Sequence, residues 1–206
     1  MLSYSPNNRK IRNFLITINQ DLFLIREKIE EISYTQIIGY HDYDELHYLV
    51  MALEDRRFLK HCGVDFRSIL RECIKFFLRK KFGGASTIDM QMVRTITGFK
   101  ERTLYRKFYE SILAFIVNFK FSKKQIIDCY LNNAFFGSHL YGIEKATQKC
   151  FGKYIISQLT FDEKAQLAAM LQRPRPQYPS AEWQEKILKR ARYAQIIRSG
   201  MKYCNK

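Results

Sequence analysis

Residues 54–65 read EDRRFLKHCGVD, two adjacent acids at the head of a basic tract. From Arg56 to Lys107 there are fourteen Lys or Arg and four Asp or Glu, a local excess of ten positive charges. An acid in that position has two readings. It is ion-paired on a helix surface with Arg56, Arg57 or Lys60, or it is a carboxylate kept for chemistry on an anionic substrate. Immediately upstream, HDYDELHYLVMALEDRRF sets Leu46, Leu49, Val50 and Leu53 on one helical face, which puts Glu54 near the C-terminal end of that helix.

Downstream, DFRSILRECIKFFLRKKFGG carries Phe66, Ile69, Leu70, Cys73, Ile74, Phe77 and Leu78 at helical spacing, with Arg67, Arg71, Lys75 and Arg79 between them. This pattern fits a core-facing helix with a solvated basic side. It also suits a helix lying on an anionic membrane surface. Gly83 and Gly84 then end or turn it.

The whole chain of 206 residues carries 35 Lys and Arg against 20 Asp and Glu, a formal charge of +15. That field favours nucleic acid, anionic headgroups or another phosphorylated ligand without choosing among them. At 47% apolar residues the chain can bury one substantial core. Five scattered cysteines without a CxxC pair give no zinc or disulfide framework. The four histidines, His41, His47, His61 and His139, form no HExxH. The most apolar N-terminal stretch, IRNFLITINQDLFLI, is interrupted by Arg12, Asn13, Asn19, Gln20 and Asp21, so no run of about 18–20 apolar residues is available to span a bilayer.

Helix boundaries are written locally. Ser122 with Gln125, and Thr160 with Glu163, are capping boxes, and Ser180 caps a last helix that runs to Gly200. The first 45 residues have helix-like apolar spacing and are expected as a helical arm. Six to nine helices around one core are expected, with room for a short hairpin.

Four segments in order carry a family resemblance: EDRRFLKHCGVD, GGASTIDMQMVRT at 83–95, RKFYESILA at 106–114, and KKQIIDCYLNNAFFGSHLYGIEKATQKCFGK from Lys123. LTFDEKAQLAAMLQRPRPQYPS adds a weaker fifth. The chain resembles the peptidoglycan glycosyltransferases, the glycan-polymerising modules also found in bifunctional penicillin-binding proteins. The resemblance implies a mainly α, lysozyme-like fold with a large helical lobe and a smaller membrane-proximal jaw. It implies a glycosyltransferase domain over residues 46–200, followed by a 201–206 tail, with no transpeptidase domain. The implied activity is inverting polymerisation of lipid II into β-1,4-linked glycan strands with release of undecaprenyl diphosphate. The implied location is the outer face of the bacterial cytoplasmic membrane, held peripherally, with lipid II, the growing glycan, the anionic membrane surface and a cell-wall synthase as partners. Nucleic acid has no part in that reading.

By the same resemblance, Glu54 is the carboxylate that takes the proton from the attacking sugar hydroxyl, and Glu110 is the second acid of the site. Arg94, Arg106 and Lys107 match positions that turn cations toward the substrate diphosphate, and Thr87 and Gln91 orient it through neutral hydrogen bonds. Asp55, His61, Gly83, Gly84 and Asn132 support the site. Mg²⁺ or Mn²⁺ is compatible as a cofactor, and no organic cofactor is implied. Three positions depart from the family pattern: Asp89 stands where Thr is common, Asn118 where Glu is frequent, and Asp128 where Glu is more usual. An inactive glycan-binding relative and a basic membrane- or nucleic-acid-binding protein are the competing readings.

Overall fold

The structure is a computed structural model that describes residues 6–35, 43–78, 84–99 and 103–201. Gly83 and His41 lie outside these residues. Among the described residues the chain is mainly helical, as expected, with one two-stranded antiparallel hairpin. The helices are α1 (Pro6–Thr35), α2 (Glu45–Glu54), α3 (Phe66–Phe77), α4 (Ile88–Thr97), α5 (Leu104–Lys120) and α6 (Lys123–Asn133). The hairpin β1 (Phe135–Gly137) and β2 (Leu140–Tyr141) precedes α7 (Ile143–Phe151), α8 (Phe161–Met170) and α9 (Ala181–Gly200).

The anticipated caps form. Ser122 and Thr160 each accept from the backbone three residues on, and Gln125 and Glu163 answer from the side chain. Ser180 caps α9. Each such cap contributes about 1 kcal/mol and fixes where a helix enters the core.

One continuous core joins the elements. Leu46, Leu49 and Val50 of α2 are buried, and α2 packs against α8 and α9. Those two helices present Ala165, Ala168, Ala169, Ala191 and Ala194, small side chains that let three axes approach closely. On the other side, α4 packs on α1, α5 and α6 through Met92, Val93, Leu113, Val117, Ile126 and Ile127. Each large apolar side chain closed from water here contributes roughly 1.5–3 kcal/mol. The segment expected as an arm shares this core. Ile18, Ile25 and Ile29 of α1 are buried in it, and Tyr109 of α5 donates to Asp21 at 2.7 Å.

α3 differs from the other helices. Phe66, Leu70, Ile74 and Leu78 are all more than half exposed, and none of its described side chains joins the core. These four side chains do not meet the core-facing reading of this helix. The PRPQYP stretch is tied to the hairpin, because Arg175 pairs with Gly137 as an isolated parallel bridge.

Candidate active site

Helix α2 stops at Glu54 because the next residue leaves helical geometry to do other bonding. Asp55 sits at φ −156°, ψ 85° and accepts from the backbone of Arg57 and of Ile88, and it pairs with His61 Nε2 at 2.8 Å. Asp55 therefore pins the 54–65 turn to the start of α4. A second pin lies beside it. The Thr87 hydroxyl caps α4 by accepting from Met90 and donates to the Gly63 carbonyl at 2.6 Å. Gly63 has φ +88°, and a Cβ there would stand 2.4 Å from the Ala114 carbonyl oxygen, so only glycine lets this turn lie against α5.

These pins leave Glu54 at the edge of a cleft of about 300 Å³, together with Leu53, Arg57, Arg71, Ser86 and Thr87. The basic neighbours do not neutralise it. Arg56 reaches Tyr193, and Arg57 pairs with Asp65 at 3.1 Å. Among the described residues Glu54 has no ion pair. Its Oε2 accepts from Gln91 Nε2 at 2.8 Å, while Gln91 Oε1 accepts from the Tyr130 hydroxyl at 2.8 Å. The Tyr130 bond fixes which end of the Gln91 amide faces the acid. Glu54 Oε1 is closed from water, with no donor in hydrogen-bonding geometry. Burial pushes the Glu54 carboxyl above the usual carboxylate range, and the Gln91 and Gln172 amides with the charge of Arg190 hold part of that rise back.

One turn further along α4, Arg94 makes a fork to Glu110, at 2.8 and 2.9 Å. Arg106 adds a contact at 3.1 Å to the same carboxylate, which is fully buried. The predicted cations thus divide. Arg94 and Arg106 clasp Glu110 across α4 and α5, and neither they nor Lys107 line the Glu54 cleft. Lys107 is exposed. Arg94 keeps about a third of its side chain in solvent, so one side of the fork faces outward.

The supporting residues are placed as follows. His61 is bound to Asp55, and its Nδ1 has no hydrogen bond and lies 3.9 Å from Asp89 Oδ2. Gly84 lines the cleft with no atom within 4 Å of an added Cβ, so no steric need for glycine arises there. Asn132 spends its amide on the Asp128 carbonyl of its own helix. Asp128, one of the three departures, accepts from Lys124 and pairs with His47 Nε2 at 2.8 Å. Since His47 Nδ1 accepts from the Asp44 backbone, Nε2 carries the proton.

Asp55, His61 and Asp89 form a buried cluster whose ligand atoms lie within 4.8 Å of one another, a set able to coordinate a metal ion. The local charge balance does not favour one. Lys123 Nζ stands 3.0 Å from both Asp89 oxygens, and His61 Nε2 is engaged by Asp55. An ion would have to displace the ammonium first.

Two residues have a role that the sequence did not single out: Tyr130, which orients Gln91, and Lys123, which pairs with Asp89. A lysine in the first turn of a helix sits against the positive end of the helix dipole, a signal that it has a partner elsewhere.

The mainly helical fold is the one the family resemblance implied. The chain belongs to the transglycosylase family, whose model matches residues 9–198. It is 40% identical over 125 residues to penicillin-binding protein 1A of Aquifex aeolicus, covering 60% of this chain and 17% of that protein. It is 38% identical over 131 residues to the biosynthetic peptidoglycan transglycosylase of Marinomonas sp., covering 64% of this chain and 58% of the relative. Penicillin-binding protein 2a of Streptococcus pneumoniae is 38% identical over 129 residues, 61% of this chain and 17% of its own length. The chain therefore spans about a sixth of these penicillin-binding proteins and under two thirds of the biosynthetic transglycosylase.

Proposed function

We propose that this chain polymerises lipid II, with Glu54 as general base. The observation that carries the reading is Glu54 itself, a carboxylate at the edge of the cleft with no ion pair among the described residues and with its Oε2 held by Gln91. In the proposed step the acceptor sugar's 4-hydroxyl oxygen bonds to the donor's anomeric carbon as the bond to the diphosphate oxygen breaks. The hydroxyl proton passes to Glu54, and undecaprenyl diphosphate leaves. Displacement from the opposite face inverts an α-linked donor to a β-1,4 product. Gln91 holds the base in orientation, and burial makes Glu54 a stronger base than a solvated carboxylate.

Glu110 in this reading organises cations and does no proton transfer, since Arg94 and Arg106 already saturate it. The outer side of Arg94 and the exposed Lys107 are the groups proposed to meet the diphosphate. Thr87 acts through the loop it pins, because both of its hydrogen-bonding roles are taken within the protein. Mg²⁺ or Mn²⁺ would supply charge to the leaving diphosphate.

Peripheral attachment is proposed through α3, whose uncovered Phe66, Leu70, Ile74 and Leu78 alternate with Arg67, Arg71 and Lys75. No helix among the described residues is long and apolar enough to cross a membrane. The outer face of the cytoplasmic membrane, where lipid II is polymerised, is the proposed site of action, with a cell-wall synthase as protein partner.

Detergent-dispersed lipid II incubated with the purified protein tests the activity directly. Release of undecaprenyl diphosphate with growth of a glycan ladder is the expected result. Tight lipid II binding without any product would overturn catalysis and leave a glycan-binding relative.

A further inference from the structure

Asp89 and Asn118, two of the three departures from the family pattern, are bonded to each other. Asn118 Nδ2 donates to Asp89 Oδ1 at 2.7 Å. Asp89 has no exposed surface, and the Lys123 ammonium lies 3.0 Å from both of its oxygens. The same ammonium stands 4.3 Å from the centre of the Phe58 ring, within range of a cation–π contact. Lys123 therefore joins three segments at one point: the turn that follows Glu54, the first turn of α4, and the start of α6.

Local electrostatics explain the arrangement. Asp89 is in the first turn of α4, where a carboxylate meets the positive end of the helix. Lys123 is in the first turn of α6, where its charge is opposed by its own helix. Burial pushes the Asp89 carboxyl up and the Lys123 ammonium down, and each is held back by the other. Neither charge is tolerable there alone. Asn118 completes the hydrogen bonding of the carboxylate without adding a second negative charge.

We propose that Asp89, Asn118 and Lys123 form an internal ionic lock that positions α4 behind Glu54, and that Asp89 and Asn118 are an exchangeable carboxylate–amide pair serving one ammonium. All three are positioning residues. They act through α4, whose other face carries Gln91 to Glu54. The lock supplies from a side chain the positive charge that the Asp55, His61 and Asp89 cluster would otherwise draw from an ion.

A double-mutant cycle decides it. Asp89→Thr strands Lys123, and a fall in Tm on the order of 10 °C is expected. Asn118→Glu sets two carboxylates against one ammonium and should also lower Tm. Asp89→Thr combined with Asn118→Glu restores one carboxylate and should recover at least half of the loss caused by Asp89→Thr. A double variant whose Tm loss equals or exceeds the sum of the two singles would overturn the lock. So would a rise in parental Tm with added MnCl₂ that Asp89→Thr abolishes, since that result assigns the cluster to a metal.

The positioning role rests on the proposed glycan polymerisation and has its own readout. At a temperature where Asp89→Thr is folded, kcat should fall about tenfold with KM near the parent's, and the paired exchange should restore it. Parental kcat in folded Asp89→Thr would overturn the positioning role. The unfolding cycle needs no substrate, so a parent that fails to polymerise lipid II strikes the function reading and leaves the lock to be judged on Tm.

Discussion

Glu54 and Glu110 are the same side chain in opposite surroundings. Glu110 is fully buried and clasped by two arginines, with both oxygens engaged. Glu54 has no ion pair among the described residues, and the groups that hold it are the neutral amides of Gln91, on Oε2, and Gln172, with Arg190 acting from further away. An acid whose charge is balanced on every side has no reason to accept a proton. An acid held in place by neutral donors is ready to take one. The proposed function thus assigns chemistry to one glutamate and architecture to the other, and α4 links their positions, by Gln91 at one turn and Arg94 at the next.

The comparison breaks most readily at Glu110. Glu110→Gln leaves Arg94 and Arg106 facing a neutral amide in a buried site. Removing one partner of such a cluster costs about 3–5 kcal/mol, and the partial exposure of Arg94 puts this case near 3. The expected loss is roughly a hundredfold in the folding equilibrium, measurable by urea unfolding. A variant of near-parental stability would mean that the clasp contributes little and that Glu110 is held for chemistry instead.

At Glu54 the same substitution should act on rate. Glu54→Gln keeps the shape and removes the proton acceptor, so polymerisation should fall on the order of 10²-fold or more. Lipid II affinity should change less, because Arg94 and Lys107 remain. Near-parental glycan synthesis by folded Glu54→Gln protein would remove it as the base, and the two acids would lose their distinction.

That division was only partly legible in the chain. Caps at Ser122, Thr160 and Ser180 are local, three residues from cap to partner, and the sequence placed them correctly. The acid at the end of α2 followed from the spacing of Leu46, Leu49 and Val50. Orientation was harder. The amphipathic pattern of α3 states that one face is apolar without saying whether anything covers it. The helix-like spacing of α1 did not say what would cover it, because the burial of Ile18, Ile25 and Ile29 depends on α4, α5 and α6, which begin more than 50 residues after α1 ends. The bonds of the site are non-local for the same reason. Gln91 meets Glu54 across 37 residues and Tyr130 across 39, separations at which no periodicity speaks. Arg94, Arg106 and Glu110 were all singled out from motifs, but charge alone did not tell that they would spend themselves on one another.

The smallest expected effect is also the most specific to the environment of Glu54. Its carboxyl is raised above the ordinary value by burial. The folded state therefore holds this proton more tightly than the unfolded chain does. Stability from that difference is fully present below the ordinary glutamate pKa near 4.3 and is lost as pH rises through the elevated folded value. Above it, the parent bears the whole cost of a buried carboxylate. Glu54→Gln bears none of it at any pH. The difference in Tm between Glu54→Gln and the parent should consequently grow in favour of the variant from pH 4 to pH 8, by a few degrees. Glu110→Gln should be less stable than the parent, because Arg94 and Arg106 lose the carboxylate that pairs with them. A Tm difference for Glu54→Gln that is flat with pH would mean that the Glu54 carboxyl is not raised in the folded protein. The contrast between the two acids would then rest on geometry alone.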